Sequence, residues 1–303
     1  KCASTTAASI ALNIARRHTP QNQSQGCDIS YKHKHASLIP DLRKRSKSNT
    51  LLWTFLRDPT SRFISHFYHT KVSKKGYNEH RIVKAAKEAR GDFMYDYTQL
   101  FLPTDMQFFE SRSRRKSRKY VDEQDTVHGW DAVHGWSVTN SMIQNVLDQY
   151  DFIGLVERFH ESLVVMKILW NLNYGDLLYM SAKESGGYDY LCNKIIKSNV
   201  SERGQLFFES KQWKSKVKGD EMFYAAVNRT LDLTIDQVIG KEVFDKELFA
   251  YNSLLQRAQD RCMPSTIFPC DKYGQKIDKT NCYNRDEGCG YECLDDFYAR
   301  ENL

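Results

Sequence analysis

Three groups of residues carry chemistry by type and spacing. Lys1-Cys2-Ala3-Ser4-Thr5-Thr6 stands directly before a helix-forming stretch. Backbone N–H groups at a helix amino terminus, backed by its dipole, form a site for phosphate. Lys1 adds a point charge there, and Ser4, Thr5 and Thr6 add hydroxyl donors. The order departs from the phosphate loop G-x-x-x-x-G-K-[ST], because the lysine comes before the hydroxyls and no glycine is present. A plain Ser/Thr helix cap would use the same residues. The second group is Arg57-Asp58-Pro59 at the end of an apolar run, with Arg62 and Ser65 following. Arg57 could fork onto a phosphate, or it could pair with Asp58 and leave Ser65 as a surface residue. The third is His33 and His35, imidazoles suited to proton transfer near neutral pH. Their rival reading is a solvated loop among Lys32, Lys34 and Arg43.

These groups need elements to position them. Residues 4–17 read as a helix, with Ala7, Ile10, Ala11 and Ile14 on one face and Arg16, Arg17, His18 and Pro20 marking its end. Leu51–Leu56 (LLWTFL) reads as a strand covered on both faces. Asp58 is a good N-cap and Pro59 suits a first helical turn, so 59–70 is predicted helical through Phe63 and Phe67. Further strands are expected at Phe152–Val156 and Leu177–Met180, and helices at 160–171 and 220–239. Strands alternating with helices predict a parallel, doubly wound sheet, at whose strand carboxyl ends ligands bind. Segment 71–150 is less regular and holds the basic run Arg112, Arg114, Arg115, Lys116, Arg118 and Lys119. That run would steer a polyanion or form a solvated loop.

With 303 residues, 41% apolar and 27% charged, the chain has material for a sizeable core and does not read as disordered. No apolar run reaches membrane-spanning length. The net charge of +6 is compatible with anionic ligands. The chain opens at Lys1 rather than Met and is expected to be a fragment or processed form. Five of its eight cysteines fall in the last 42 residues, in a stretch rich in Pro and Gly. Spacings of 7, 11, 6 and 3 residues match no common zinc pattern, so a disulfide-stapled tail in an oxidising compartment is expected. Sequons begin at Asn22, Asn199 and Asn228, the last within a helical stretch.

Taken together, K-x-x-S-T-[ST] before a first helix and R-D-P-x-x-R-x-x-S after a buried strand resemble the sulfotransferases that use 3′-phosphoadenosine 5′-phosphosulfate (PAPS). The carbohydrate branch is the more similar. Tyr31-Lys32-His33-Lys34-His35 resembles the His-x-His stretch of uronyl 2-O-sulfotransferases. Asp151–Leu163 resembles the F-x-G-x-x-E-x-x-x-E-S-L region of galactose 3-O-sulfotransferases, and Asp220, Tyr224, Asn228 and Arg229 resemble their C-terminal helix. The resemblance covers residues 1–255 in patches and does not reach the tail. It implies an α/β fold with a P-loop-like central parallel sheet flanked by helices. A sulfotransferase domain over 1–257, its first strand preceding Lys1, would be followed by a Cys-rich irregular tail over 258–303.

The same resemblance implies roles. Lys1, Cys2, Ala3, Ser4, Thr5 and Thr6 would form the 5′-phosphosulfate loop, and Arg57 and Ser65 the 3′-phosphate site. Lys1 would stabilise the departing phosphate, and His35, supported by His33, would be the general base, with His66, His69, His128 and His134 in reserve. Glu157 and Glu161 could supply a carboxylate base but read as structural or orienting. The implied cosubstrate is PAPS with 3′,5′-ADP as product and no metal. The acceptor would be a glycan or glycolipid, not a nucleic acid. The setting would be the Golgi lumen, reached by a type II anchor outside this sequence. A sugar or nucleotide kinase would need a glycine loop and a magnesium carboxylate. A catalytically inactive glycan-binding relic of the fold is the other alternative.

Overall fold

The computed structural model describes residues 4–18, 45–48, 50–89, 97, 101, 126–127, 138–182 and 186–301. Helix α1 (Ser4–His18) precedes strand β1 (Trp53–Leu56) and helix α2 (Pro59–Phe67), which continues as a π-helical turn, Tyr68–Ser73. Next come α3 (Ile82–Glu88), the short antiparallel pair β2 (Thr126–Val127) and β3 (Val138–Thr139), α4 (Asn140–Gln149) and β4 (Phe152–Leu155). Helices α5 (Phe159–Trp170), α6 (Tyr174–Leu177), α7 (Glu202–Glu209), α8 (Lys211–Leu233), α9 (Lys241–Cys262) and α10 (Tyr291–Arg300) complete the order.

The parallel pairing that the apolar runs imply is present: β1 runs beside β4 with Trp53 opposite Phe152 and Leu56 opposite Leu155. Among the described residues this sheet has two strands. Gly154 is there for space. A Cβ on it would sit 2.4 Å from Cε1 of Phe55 and 2.9 Å from Cβ of Ser162. The bare backbone lets the Phe55 ring lie over β4, 4.7 Å from the Phe159 ring. Ser162 is fully buried, and its Oγ accepts the Leu155 N–H at 2.9 Å. It thus satisfies a strand amide that faces away from β1. The E-S-L motif is therefore a device for seating α5 on β4, with Leu163 buried in the core behind it.

Two apolar clusters result. The larger surrounds the sheet and includes Ile10, Leu56, Leu155, Phe223, Tyr251 and Leu294. The smaller lies under α2 and joins Phe63, Phe67, Ile82, Phe208 and Trp213. Trp213 is fully buried and donates its indole N–H to Oγ1 of Thr60 at 2.8 Å, so its polar atom is not stranded.

Two sequence expectations are corrected. Leu177–Met180 is not a ladder strand. Asn173 and Asp176 form a capping box that starts α6, and the buried chain after it runs extended. Side chains take its carbonyls instead of a neighbouring strand: Tyr251 Oη donates to Leu177 O at 3.1 Å, Asn13 Nδ2 to Leu178 O at 2.8 Å, and Gln259 Nε2 to Tyr179 O at 3.1 Å. The helix expected over 220–239 begins at Lys211, with Ser210 as its cap, and ends in a π-helical turn, Thr234–Ile239. Trp213 and Val217, one turn apart, bury its polar-looking first half in the smaller cluster.

The Cys-rich segment carries three disulfides: Cys192–Cys270, Cys262–Cys293 and Cys282–Cys289. The first reaches back across 78 residues, outside the tail. The segment also contains α10, which sequence periodicity did not reveal, and Leu294 of α10 joins the main core. Its grip on α1 is polar. Asp295 pairs with Arg16 and with Arg17, Arg17 also pairs with the buried Asp176, and the Gly288 N–H donates to Oγ of Ser9 at 2.7 Å. No described helix is long and apolar enough to cross a membrane.

Candidate active site

The sequence places Arg57 where β1 ends, and local chemistry fixes the turn into α2. Asp58 accepts the Ser61 N–H at 2.7 Å and so caps α2, with Pro59 in its first turn. Asp58 is therefore committed to the helix, and the acid beside Arg57 is Glu157, with Oε1 3.8 Å from Nε. Glu157 sits just past β4. Its two oxygens accept the Asp58 N–H at 3.1 and 3.2 Å, and Oε2 also accepts the Tyr224 hydroxyl at 3.1 Å. One carboxylate thus ties together the ends of both parallel strands and helix α8. Burial and then the neighbouring Glu157 charge raise the Tyr224 phenol, which keeps it protonated as a donor.

The backbone of Arg57 is held from the other side. The Tyr97 hydroxyl accepts its N–H at 3.1 Å and donates to its carbonyl. Tyr97 is almost fully buried, and its own N–H donates to Oδ1 of Asp220 at 2.6 Å. Oδ2 of Asp220 takes Nη2 of Arg62 at 2.6 Å, and the Arg62 guanidinium lies 4.0 Å over the Tyr97 ring. Residues 220, 224, 228 and 232 recur every fourth position along α8 and form one stripe. Asp220 holds Arg62, Tyr224 holds Glu157, and Asn228 and Asp232 hold Arg158. Arg158 is also clamped by Glu161, with Nε 3.0 Å from Oε2. Glu157 and Glu161 are engaged as acceptors of structural bonds, in agreement with an orienting role.

Helix α1 packs against β1, and Thr5 lies buried in its first turn with Thr6 half-buried beside it. That turn contains no acidic residue of its own to offset the positive end of the helix dipole. Ser65 is half-buried on α2, in the same strand–turn–helix unit as Arg57. Lys1, Cys2, Ala3, His33, His35, His128, His134 and the basic run lie outside the described residues. His66 and His69 fall on α2 and its π-helical continuation. His160 is structural: its ring nitrogens bond Asn252 at 2.7 Å and Tyr179 at 3.0 Å, and burial pushes the Tyr179 phenol up to about 12.

A part-exposed arginine stands at the carboxyl end of β1, and helix α1 packs on the same strand. The sequence profile of the sulfotransferase family matches residues 1–186, more than half of the chain. The chain belongs to the sulfotransferase family. The match takes in the Lys1–Thr6 loop, the His33 and His35 stretch and the Arg57–Ser65 unit, and stops before α8. Sulfuryl transfer is the chemistry of that family. No curated protein and no solved structure matches the chain.

Sequence reasoning assigned no bracing role to two residues beside Arg57, namely Tyr97 and Arg62. Tyr97 stands in a stretch of sequence without clear periodicity and carries no local signal for its reach to Arg57. Arg62 was visible in the R-D-P-x-x-R spacing, but its partner Asp220 is 158 positions away.

Proposed function

We propose that the sulfotransferase moves a sulfuryl group from PAPS to a sugar hydroxyl on a glycan, glycolipid or proteoglycan. The observation that carries this reading is the Arg57–Ser65 unit at the carboxyl end of β1, with α1 packed on the same strand. Arg57 and Ser65 would hold the 3′-phosphate. The amides of Cys2 and Ala3, with Ser4, Thr5 and Thr6, would cradle the 5′-phosphosulfate at the α1 amino terminus. PAPS supplies an activated sulfur whose bond to the 5′-phosphate oxygen breaks as the acceptor oxygen attacks. Lys1 would neutralise charge on the leaving phosphate, and His35 would take the acceptor proton, with His33 alongside. The His-x-His stretch and the Phe152–Leu163 region favour a carbohydrate acceptor by their resemblance to galactose 3-O- and uronyl 2-O-sulfotransferases. Three disulfides support an oxidising lumen such as the Golgi as the working compartment.

Thermal unfolding tests the nucleotide. A ligand that binds only the folded state at a hundred times its Kd stabilises by about 2.7 kcal/mol. The melting temperature should rise with 3′,5′-ADP and stay unchanged with ATP and magnesium; the reverse result would replace the PAPS reading with a kinase. Turnover of labelled PAPS against a panel of desulfated glycans then identifies the acceptor. His35→Ala should lose sulfuryl transfer, by about 10²- to 10⁴-fold for a general base, while keeping its stabilisation by 3′,5′-ADP. Near-normal turnover in that variant would assign the proton to another group.

A further inference from the structure

We infer that Asn199 carries an N-linked glycan. Asn199-Val200-Ser201 is a sequon, and the structure separates it from the one at Asn228. Residues 195–200 are irregular chain beside the π-helical turn that continues α2. Two bonds fix that chain: the Ile196 N–H donates to Oγ of Ser73 at 3.0 Å, and the Tyr68 hydroxyl donates to the Asn199 carbonyl. Both use backbone atoms of the segment. The Asn199 side chain is exposed, and among the described residues its carboxamide has no hydrogen-bonding partner. Ser201, also exposed, precedes α7 without a side-chain cap bond, so its hydroxyl is not committed to the helix.

Asn228 is placed in the opposite way. It lies inside α8, its Oδ1 accepts from Arg158 at 2.9 Å, and its Nδ2 donates to Asp232 at 3.4 Å. A sugar on that nitrogen would break into the stripe that holds Arg158. A sugar on Asn199 would break no hydrogen bond of its carboxamide to a described residue. The three disulfides fit the oxidising lumen in which the modification chemistry operates. The co-reactant is a lipid diphosphate-linked oligosaccharide, delivered by the lumenal oligosaccharide transferase. The carboxamide nitrogen bonds the anomeric carbon, that carbon's bond to the diphosphate oxygen breaks, the amide proton goes to a base on the transferase, and the lipid diphosphate leaves.

The test is site mapping on the chain expressed through a eukaryotic secretory pathway. An amidase that hydrolyses the asparagine–sugar amide bond, used in ¹⁸O water, should convert Asn199 into labelled Asp and leave Asn228 unlabelled. Asn199→Gln should remove one glycan step on a gel, and Ser201→Ala should remove the same step while keeping Asn199. An unlabelled Asn199 in secreted chain whose three disulfides have formed would overturn the inference, as would label at Asn228 instead. Because the readout is mass and not turnover, it stands or falls separately from the proposed sulfuryl transfer.

Discussion

Arg57→Ala is expected to weaken binding of 3′,5′-ADP by about ten- to a hundredfold while barely changing the stability of the ligand-free protein. The two halves of that expectation have different physical sources. Hydrogen bonds to a charged partner contribute about 1.5–3 kcal/mol, and each 1.4 kcal/mol is roughly a factor of ten in Kd. The side chain's ion pair with Glu157, at 3.8 Å with both groups about a third exposed, belongs with surface pairs worth about 0–1 kcal/mol. The Tyr97 bonds are made to the backbone of residue 57, so alanine keeps them. Calorimetric titration of both proteins with 3′,5′-ADP reads the first half, and denaturant unfolding reads the second. Arg57→Lys should fall between, because an ammonium keeps the charge and loses the fork. Equal affinity in wild type and Arg57→Ala would remove this residue from the 3′-phosphate site.

Asp220→Ala is expected to fail for the opposite reason, through the fold. Asp220 is 5% exposed and compensates both the Arg62 guanidinium and the Tyr97 N–H. Breaking one side of a buried pair costs about 3–5 kcal/mol, since the other charge stays behind without its counterion. Against a total stability of about 5–15 kcal/mol, that is a large fraction. Urea unfolding of Asp220→Ala should show the loss, and Asp220→Asn, which keeps an acceptor for Tyr97, should lose less. Exchanging both partners for leucine should recover part of the deficit, because an apolar pair leaves no stranded charge. A loss below about 1 kcal/mol in Asp220→Ala would mean that the Arg62–Tyr97–Asp220 group does not brace β1, and the account of how Arg57 is positioned would fall with it.

The legible parts of the molecule are those whose causes are local. Asp58-Pro59 after an apolar run sufficed to place the end of β1 and the start of α2, because capping acts within three residues. The strand at Phe152 and the helix after it were legible from their apolar runs, and Gly154 and Ser162, which seat that helix on the strand, also act over short distances. The hidden parts depend on distant partners. Arg57 faces Glu157 rather than the adjacent Asp58, a choice made by sheet register. Residues 177–180 have the apolar content of a strand, yet their carbonyls go to Asn13, Tyr251 and Gln259. The Cys192–Cys270 link leaves the tail altogether, and no spacing rule within the tail could have found it. The arginine and serine are placed on one structural unit, whereas Lys1, His33 and His35 lie outside the described residues and their roles rest on resemblance alone.

The grip of residues 288–295 on α1 joins two distant stretches of the chain. During synthesis Gly288 comes 279 residues after its partner Ser9. Helix α1 therefore waits for this brace until that whole stretch has been made. A product clipped before residue 288 would present α1 without that clasp.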